Sequence, residues 1–176
     1  MKHEPPLTRR VLLVGAGTGA AALGAGLAWR TMHPLAPPPA TQVFWGSRFK
    51  AVDGSDLSPS GWFGKPLLVN FWATWCPPCV KELPEINQFY NEAKGRGWQV
   101  LALALDSLEP VQTFLQKTRL DFPVALAGAQ GLSLVRALGN ESGGLPFSIA
   151  FDNGGTINWR RLGVTTLADL RELAKT

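Results

Sequence analysis

The stretch from Asn70 to Cys79 reads NFWATWCPPC and contains both cysteines of the 176-residue chain. It overlaps an apolar run, Leu67 to Trp72, which predicts a buried β-strand. Two prolines follow Cys76, and proline is favoured at the start of a helix, where its missing N–H is not needed. The sequence therefore predicts a strand, a turn that ends at Cys76, and a helix that begins at Pro77 and carries Cys79 in its first turn.

This arrangement predicts redox chemistry at the cysteine pair. A thiolate at the N-cap of a helix can accept a hydrogen bond from the third helical amide, and the helix dipole stabilises the anion. Cysteines in such positions, Cys-X-X-Cys motifs among them, have lowered pKa values. We therefore expect Cys76 to be the attacking thiolate, and Cys79, three residues along the same helix, to be the resolving thiol.

Other roles for the pair fit the sequence less well. A disulfide between these cysteines closes a very short loop, and stabilisation by a disulfide grows with the length of the loop. A closed zinc or iron-sulfur site needs about four ligands, whereas the chain has two cysteines and two histidines, His3 and His33. We expect no metal and no cofactor besides the redox-active disulfide, with two-coordinate copper(I) binding as an alternative.

The composition predicts one globular domain behind a basic N-terminal segment. The chain is long enough for one domain with a core, and its hydrophobic content of 45% argues against disorder. The first thirty residues account for most of the net charge of +4, because they contain Lys2, Arg9, Arg10 and Arg30 but only one acidic residue, Glu4. The remaining chain is nearly neutral, which argues against nucleic-acid binding.

Residues 1–30 are predicted to be a signal anchor or a twin-arginine-like export signal. The run from Val11 to Trp29 has no charged residue and would extend about 28 Å as a helix, close to the thickness of a hydrocarbon core. The segment TRRVLL, which includes Arg9 and Arg10, resembles a twin-arginine signal. Either fate would place the domain outside the cytoplasm. Residues 31–41 are rich in proline and predict an extended linker.

Residues 42–176 are predicted to form an α/β domain in which strands and helices alternate. An amphipathic helix is expected from Pro77 to Gly95 or Gly97, with a kink at Pro84, and Ser107 and Thr166 are expected to cap later helices. A hairpin that turns at residues 152–155 predicts a mixed sheet. Strands are expected at residues 49–52, 67–72, 98–105, 122–126, 147–151 and 157–162, and the later helices at 107–117, 132–138 and 166–174.

Two motifs resemble the TlpA/ResA/CcmG-like thiol-disulfide oxidoreductases of the thioredoxin superfamily. They are GKPLLVNFWATWCPPCVKELPE at residues 64–85 and GGLPFSIAFDNGGTI at residues 143–157. The resemblance covers residues 44–175 and implies a thioredoxin-like fold with a single mixed sheet flanked by helices. It also implies a thiol-disulfide oxidoreductase in the bacterial periplasm, tethered to the inner membrane through residues 11–29 or exported.

The same resemblance assigns roles to individual residues. Cys76 would be the nucleophile and Cys79 the resolving cysteine. Pro146 would be a cis-proline that faces the disulfide, and Leu145 before it would offer backbone groups to an extended segment of a partner. Substrate binding would also involve Trp75, next to the motif, and Pro77 within it.

Glu82 aligns with an acidic residue that is functional in the ResA-like branch. It lies three residues from Cys79 on the same side of the predicted helix. Cytosolic thioredoxins carry a buried aspartate where this chain has Asn70, and an amide cannot titrate. A proton for Cys79 must then come from elsewhere, which favours Glu82. The alternative is that Glu82 is a solvated helix residue.

The predicted function is reduction of protein disulfides, with a membrane thiol electron donor that regenerates the dithiol. The resemblance implies apocytochrome c cysteines or thiols of copper-site assembly proteins as substrates. The short segment Gly143 to Leu145 lacks the acidic loop of the CcmG-like branch, which argues against a cytochrome-maturation partner specifically. Two alternatives remain, a DsbA-like oxidant and a non-catalytic module that senses redox state or binds copper(I).

Overall fold

The apolar run before the cysteines forms the central strand of the sheet. The computed structural model describes residues 39–175, and in it strand β3 (Leu67–Trp72) is buried at every position. It pairs in parallel with β4 (Gln99–Ala104) on one side and antiparallel with β6 (Phe147–Phe151) on the other. Neighbours on both edges and apolar layers on both faces explain its near-continuous apolar sequence. The exception is Asn70, whose side chain is fully buried.

The remaining elements surround this strand in a mixed sheet, as the sequence predicts. The order across the sheet is β2-β1-β5-β4-β3-β6-β7, with β3, β4 and β5 parallel and the other pairs antiparallel. This confirms the thioredoxin-like α/β fold. In chain order the other elements are α1 (Ala40–Gly46), β1 (Phe49–Ala51), β2 (Asp56–Leu57), a 3-10 turn (Pro59–Trp62), α2 (Pro77–Ala93), a second 3-10 turn (Lys94–Arg96), α3 (Leu108–Lys117), β5 (Val124–Leu126), α4 (Gly131–Ala137), β7 (Ile157–Leu162) and α5 (Leu167–Leu173).

Two apolar layers enclose the sheet. Helices α2, α3 and α5 cover one face, and the buried cluster there includes both cysteines. Helices α1 and α4 cover the other face, where the aromatic side chains of β3 and β6 meet. The cysteines therefore lie at the edge of a core whose other members are mostly apolar, and polar groups near them are removed from water.

Helix α1 was not predicted. It begins at Ala40, inside the segment expected to be a linker, and Pro39 is its N-cap residue. Tertiary contacts stabilise this short helix: the Phe44 ring is fully buried and stacks on Phe151 with 4.7 Å between ring centroids. The indole of Trp45 donates to the carbonyl of Gly155 over 3.0 Å. The folded unit thus includes residues that proline content alone assigns to a linker.

The structure agrees with some of the predicted helix signals and differs from others. Thr166 caps α5 in a capping box with Asp169, as expected. Ser107 is the N-cap residue of α3, but its side chain makes no capping hydrogen bond; its own N–H instead donates to Asp106 Oδ1 over 2.8 Å. Helix α2 is continuous from Pro77 to Ala93 through Pro84, whose side chain is exposed.

The predicted export or anchor segment lies outside the described residues, as does most of the predicted linker. Within residues 39–175, no helix has the length and apolar character needed to cross a bilayer.

Replacement of Phe44 tests whether α1 belongs to the core. We expect Phe44→Ala to lower the free energy of unfolding by about 3–5 kcal/mol, the usual cost of removing a buried phenylalanine ring. Val43 in the same helix is 43% exposed, so Val43→Ala should change stability by less than about 0.5 kcal/mol. Chemical denaturation of both variants measures the difference. Equal, small effects would contradict the assignment of α1 to the core.

Candidate active site

The cysteine pair lies where β3 passes into α2. Cys76 is the N-cap residue of α2 and Pro77 its first helical residue, as the sequence predicts. The two cysteines form a disulfide with 5.3 Å between their Cα atoms. Cys76 is 5% exposed and Cys79 fully buried, so a partner can approach only the first sulfur. In this oxidised form the Cys76 side chain makes no capping hydrogen bond.

A carboxylate after β4 holds the turn that leads to the disulfide. Asp106 Oδ2 accepts hydrogen bonds from the N–H of Thr74 over 3.0 Å and from its hydroxyl over 2.5 Å. The turn is thereby fixed to the neighbouring strand, while the next side chain, Trp75, stays 67% exposed. Asp106 was not predicted from the sequence. Its position directly after a buried strand, at the edge where parallel strands end together, was the available signal.

The peptide bond between Leu145 and Pro146 is cis, as the family resemblance implies. Leu145 is partly buried and packs against the cluster that contains both cysteines. Asn140 shapes the preceding loop: its Nδ2 donates to the carbonyl of Gly144 over 2.7 Å and its Oδ1 accepts from the N–H of Gly143 over 3.1 Å. Within residues 39–175, the backbone N–H and carbonyl of Leu145 have no hydrogen-bond partner. They are available to an added strand.

The loop after β7 also reaches the site, which the sequence analysis missed. The N–H of Gly163 donates to the carbonyl of Pro146 over 2.8 Å, and Gly163 has a φ of 96°, a left-handed conformation that glycine adopts without strain. The residues on either side, Leu162 and Val164, are 56% and 45% exposed. Three exposed apolar side chains therefore lie beside the segments that lead to the disulfide or to the cis-proline: Trp75, Leu162 at the end of β7, and Val164.

Glu82 is buried in the core, and the interpretation as a solvated helix residue is wrong. The side chain is 1% exposed. Oε1 accepts from Nδ2 of Asn70 and Oε2 from the N–H of Thr165, each over 2.7 Å. Loss of hydration raises the pKa of Glu82 from 4.5 to about 7, although the two hydrogen bonds act in the opposite direction; the negative charge of Glu85 adds to the increase.

Glu82 is part of a small polar cluster inside the apolar core. Asn70 also donates to the hydroxyl of Ser148 over 2.9 Å. Within the described chain, Asn70 Oδ1 and the hydroxyl of Thr165 are buried without a hydrogen-bond partner. An unpaired buried polar atom costs about 1–3 kcal/mol. The cluster is therefore a feature that core stability alone does not favour.

In the part of the chain that the structure describes, no group of three or more His, Cys, Asp or Glu side chains is placed to hold a metal ion. The sequence-predicted residues Cys76, Cys79 and Glu82 come together on the first turns of α2. Pro146 and Leu145 lie in the adjoining loop before β6. Pro77 is exposed beside Cys76. The candidate active site is a redox disulfide with a buried carboxyl group behind it.

Glu82 should make stability depend on pH. Its folded-state pKa of about 7 exceeds the unfolded value of 4.5, so the folded state binds an additional proton between these values. Stability should therefore be greatest below pH 4.5 as far as Glu82 is concerned, and fall by up to about 3 kcal/mol as the pH rises to 7. Glu82→Gln should remove this decrease.

Urea denaturation of the oxidised protein at several pH values measures this effect. Glu109 is exposed on α3, so Glu109→Gln is a control that should retain the decrease. An unchanged pH dependence in Glu82→Gln would contradict the raised pKa.

Comparisons with known proteins agree with the geometry. The sequence profile of the Redoxin family matches residues 37–175. The chain is 32% identical over 125 residues to the thiol-disulfide oxidoreductase ResA of Bacillus thuringiensis subsp. konkukian, covering 70% of each chain. It is 28% identical over 128 residues to the sporulation thiol-disulfide oxidoreductase A of Bacillus subtilis, covering 70% of this chain and 74% of that one.

The fold is similar to solved structures as well. A crystal structure of a thioredoxin-family thiol:disulfide interchange protein from Chlorobium tepidum TLS aligns with a TM-score of 0.66 and 28% sequence identity, covering 73% of this chain and 90% of that chain. The profile match, the ResA relatives, the fold and the Cys76–Cys79 disulfide agree with one another. The chain therefore belongs to the Redoxin family, as a ResA-like thiol-disulfide oxidoreductase of the thioredoxin superfamily.

Proposed function

We propose that this oxidoreductase works in the bacterial periplasm as a reductant of protein disulfides. The observation that carries the proposal is the asymmetry of the pair: Cys76 is accessible at a helix N-terminus, whereas Cys79 is sealed in the core on the same helix as the buried Glu82. This asymmetry supports one sulfur for attack on a partner and a second, protected sulfur for release.

The first step is attack by the Cys76 thiolate on a substrate disulfide. One sulfur of the substrate bonds to Cys76, and the other leaves as a thiolate. Pro77 and Pro78 have no N–H, so the amide of Cys79 is the first in α2 that can donate to the thiolate. Few donors leave the thiolate less stabilised than in strongly oxidising proteins, which favours the reducing direction.

The second step is attack by Cys79 on the mixed disulfide. Cys79 loses its proton to the Glu82 carboxylate, its sulfur bonds to Cys76, and the substrate leaves as a second thiolate. Glu82 suits this exchange because it lies one helical turn from Cys79 and its pKa is raised to about 7. A membrane thiol electron donor then reduces the Cys76–Cys79 disulfide and restores the dithiol.

Partner proteins would bind across the loops that surround the disulfide. The free backbone groups of Leu145 can pair with an extended segment of the substrate. Apolar contacts would come from the exposed side chains of Trp75, Leu162 and Val164, with Pro77 beside Cys76. Candidate substrates are apocytochrome c cysteines or thiols of copper-site assembly proteins.

The location rests on the N-terminal sequence. The uncharged run from Val11 to Trp29 behind Arg9 and Arg10 supports an anchor in the inner membrane or a twin-arginine-like export signal. An unassisted dithiol becomes oxidised outside the cytoplasm, so a reductant in the periplasm requires the membrane donor.

Two measurements test the direction and the attacking residue. The equilibrium potential of the pair should lie near the value of about −270 mV for thioredoxin, whereas a value near the −120 mV or so of DsbA would support an oxidant. Cys79→Ala should accumulate mixed disulfides with partner proteins, and Cys76→Ala should not. If Cys79→Ala traps nothing while the wild-type pair binds copper(I) tightly, the protein is a binding module.

The role of Glu82 has its own test. With a small aromatic disulfide as substrate, stopped-flow absorbance separates attack by Cys76 from release by Cys79. Glu82→Gln should slow the second step by at least about a hundredfold at pH 7, the usual contribution of a general base, and leave the first step nearly unchanged.

Glu85 provides a matched control, because its carboxyl group accepts a hydrogen bond from the N–H of Leu167 over 2.6 Å, whereas Asn70 donates to Glu82 and Ser148. Glu85→Gln should keep the second step within the same order of magnitude. An equal effect of both variants, or no effect of Glu82→Gln, would contradict the role of Glu82.

A further inference from the structure

Asn70 is an amide in a strand that otherwise carries apolar side chains. It is fully buried and lies on the face of β3 that also presents Leu68 and Trp72 to the layer of α2. Both hydrogens of its Nδ2 group are used, one for Glu82 Oε1 over 2.7 Å and one for Ser148 Oγ over 2.9 Å. Both side-chain N–H donors of Asn70 are therefore used, one by Glu82 and the other by Ser148 on β6.

The other half of the same amide is unsatisfied. Asn70 Oδ1 is buried with no hydrogen-bond partner among residues 39–175. A leucine at this position would fill a similar volume without an unpaired polar atom. Packing of the core does not explain the amide, whereas delivery of an N–H to Glu82 does.

We propose that Asn70 is a positioning residue for the thiol-disulfide reaction: its amide holds the Glu82 carboxyl group toward Cys79 in the proton-accepting form, and Ser148 fixes the amide. This inference rests on the proposed role of Glu82 in the release step. Asn70 touches neither sulfur and acts through Glu82.

The geometry of the carboxyl group supports this role. Glu82 is held at both oxygens, by Asn70 from the sheet and by the N–H of Thr165 from the loop after β7. Both contacts donate a hydrogen, and donors favour the ionised form of a carboxyl group. Rotation of the group would break both hydrogen bonds in a dry environment, so its orientation between the sheet and this loop is fixed before a proton arrives.

The amide of Asn70 also adds no second titrating group beside Glu82. It donates to the carboxylate and takes up no proton of its own. An aspartate here would place a second carboxyl group within hydrogen-bond distance of Glu82, and two such groups share a proton because both cannot ionise at once. With Asn70 present, Glu82 alone changes charge in the polar cluster.

The other charged groups near Glu82 are few in the described chain. Glu85, one turn along α2, adds a negative charge that raises the pKa of Glu82. Arg161 of β7 and Asp169 of α5 pair with each other. The sheet side contributes the neutral groups of Asn70 and Ser148, and Cys79 is the thiol that exchanges the proton.

The first experiment measures proton binding without catalysis. Carbon-13 NMR of the side-chain carboxyl groups, in the full chain with the disulfide oxidised, follows the titration of Glu82; Glu82→Gln assigns the signal. Asn70→Leu should move this titration to higher pH by about one unit, a tenfold change in proton affinity. Ser148→Ala keeps the contact between Asn70 and Glu82, so its shift should be smaller.

The second experiment measures the release step as a function of pH by stopped flow. Asn70→Leu should slow release about fivefold at pH 7, because a pKa one unit above 7 leaves about a tenth of Glu82 ionised instead of about half. Most of the loss should be recovered at higher pH, with the attack by Cys76 unchanged. A purely structural role would instead lower the rate at every pH. A release rate that stays reduced at high pH, or a titration of Glu82 identical to the wild type, would overturn the proposal.

Asn70→Asp decides the matter if the leucine variant does not fold. This nearly isosteric change replaces the N–H donor with a second carboxyl group, and one of the two carboxyl groups should then titrate at higher pH than Glu82 in the wild type. Titration of both groups at or below the wild-type value would overturn the proposal. If Glu82→Gln leaves release unchanged, the proposed role of Glu82 fails. The NMR titration still measures the effect of Asn70 on the proton affinity of Glu82.

Discussion

The burial of β3 on both faces is the constraint on which the site depends. A strand with neighbours at both edges and helices over both faces accepts few polar atoms. The end of β3 therefore has a fixed place in the core. The chain leaves it through a short turn and enters α2 at Cys76 and Pro77. The disulfide inherits this rigidity, which Asp106 increases by holding Thr74. Cys76 keeps a small exposed fraction at the N-cap, whereas Cys79, in the first turn of α2, is fully buried against the sheet.

The same burial gives the polar cluster its properties. Asn70, Ser148 and Thr165 would have little effect on a solvated carboxyl group, because water screens and replaces such contacts. Inside the core their hydrogen bonds oppose a large loss of hydration, and the balance leaves the pKa of Glu82 at about 7. A carboxyl group that is half ionised near neutral pH can both accept and return a proton. The unpaired oxygen of Asn70 is a cost in stability that the proposed proton transfer would explain.

The sequence predicted the parts of the structure that have strong local signals. The apolar runs predicted β3 and β4, the turn at residues 152–155 predicted the hairpin, and the prolines after Cys76 predicted the start of α2. The cis bond at Pro146 came from family resemblance alone. Helix α1 was missed because it depends on the stacking of Phe44 on Phe151, far away in the chain. The burial of Glu82 was missed for a similar reason: the helical pattern cannot show that the loop at Thr165 covers it.

In the proposed mechanism, partner recognition and proton transfer use different parts of this domain. The exposed apolar side chains of Trp75, Leu162 and Val164 lie in the turn before Cys76, at the end of β7 and in the loop after it, and surface positions of this kind tolerate substitution. Glu82 and Asn70 lie in the core, where a change in one group alters the hydration and hydrogen bonding of the next. The exposed side chains themselves make none of the hydrogen bonds that hold Glu82. The two parts meet at the segment from Gly163 to Thr165, which contacts both the carbonyl of Pro146 and the carboxyl group of Glu82.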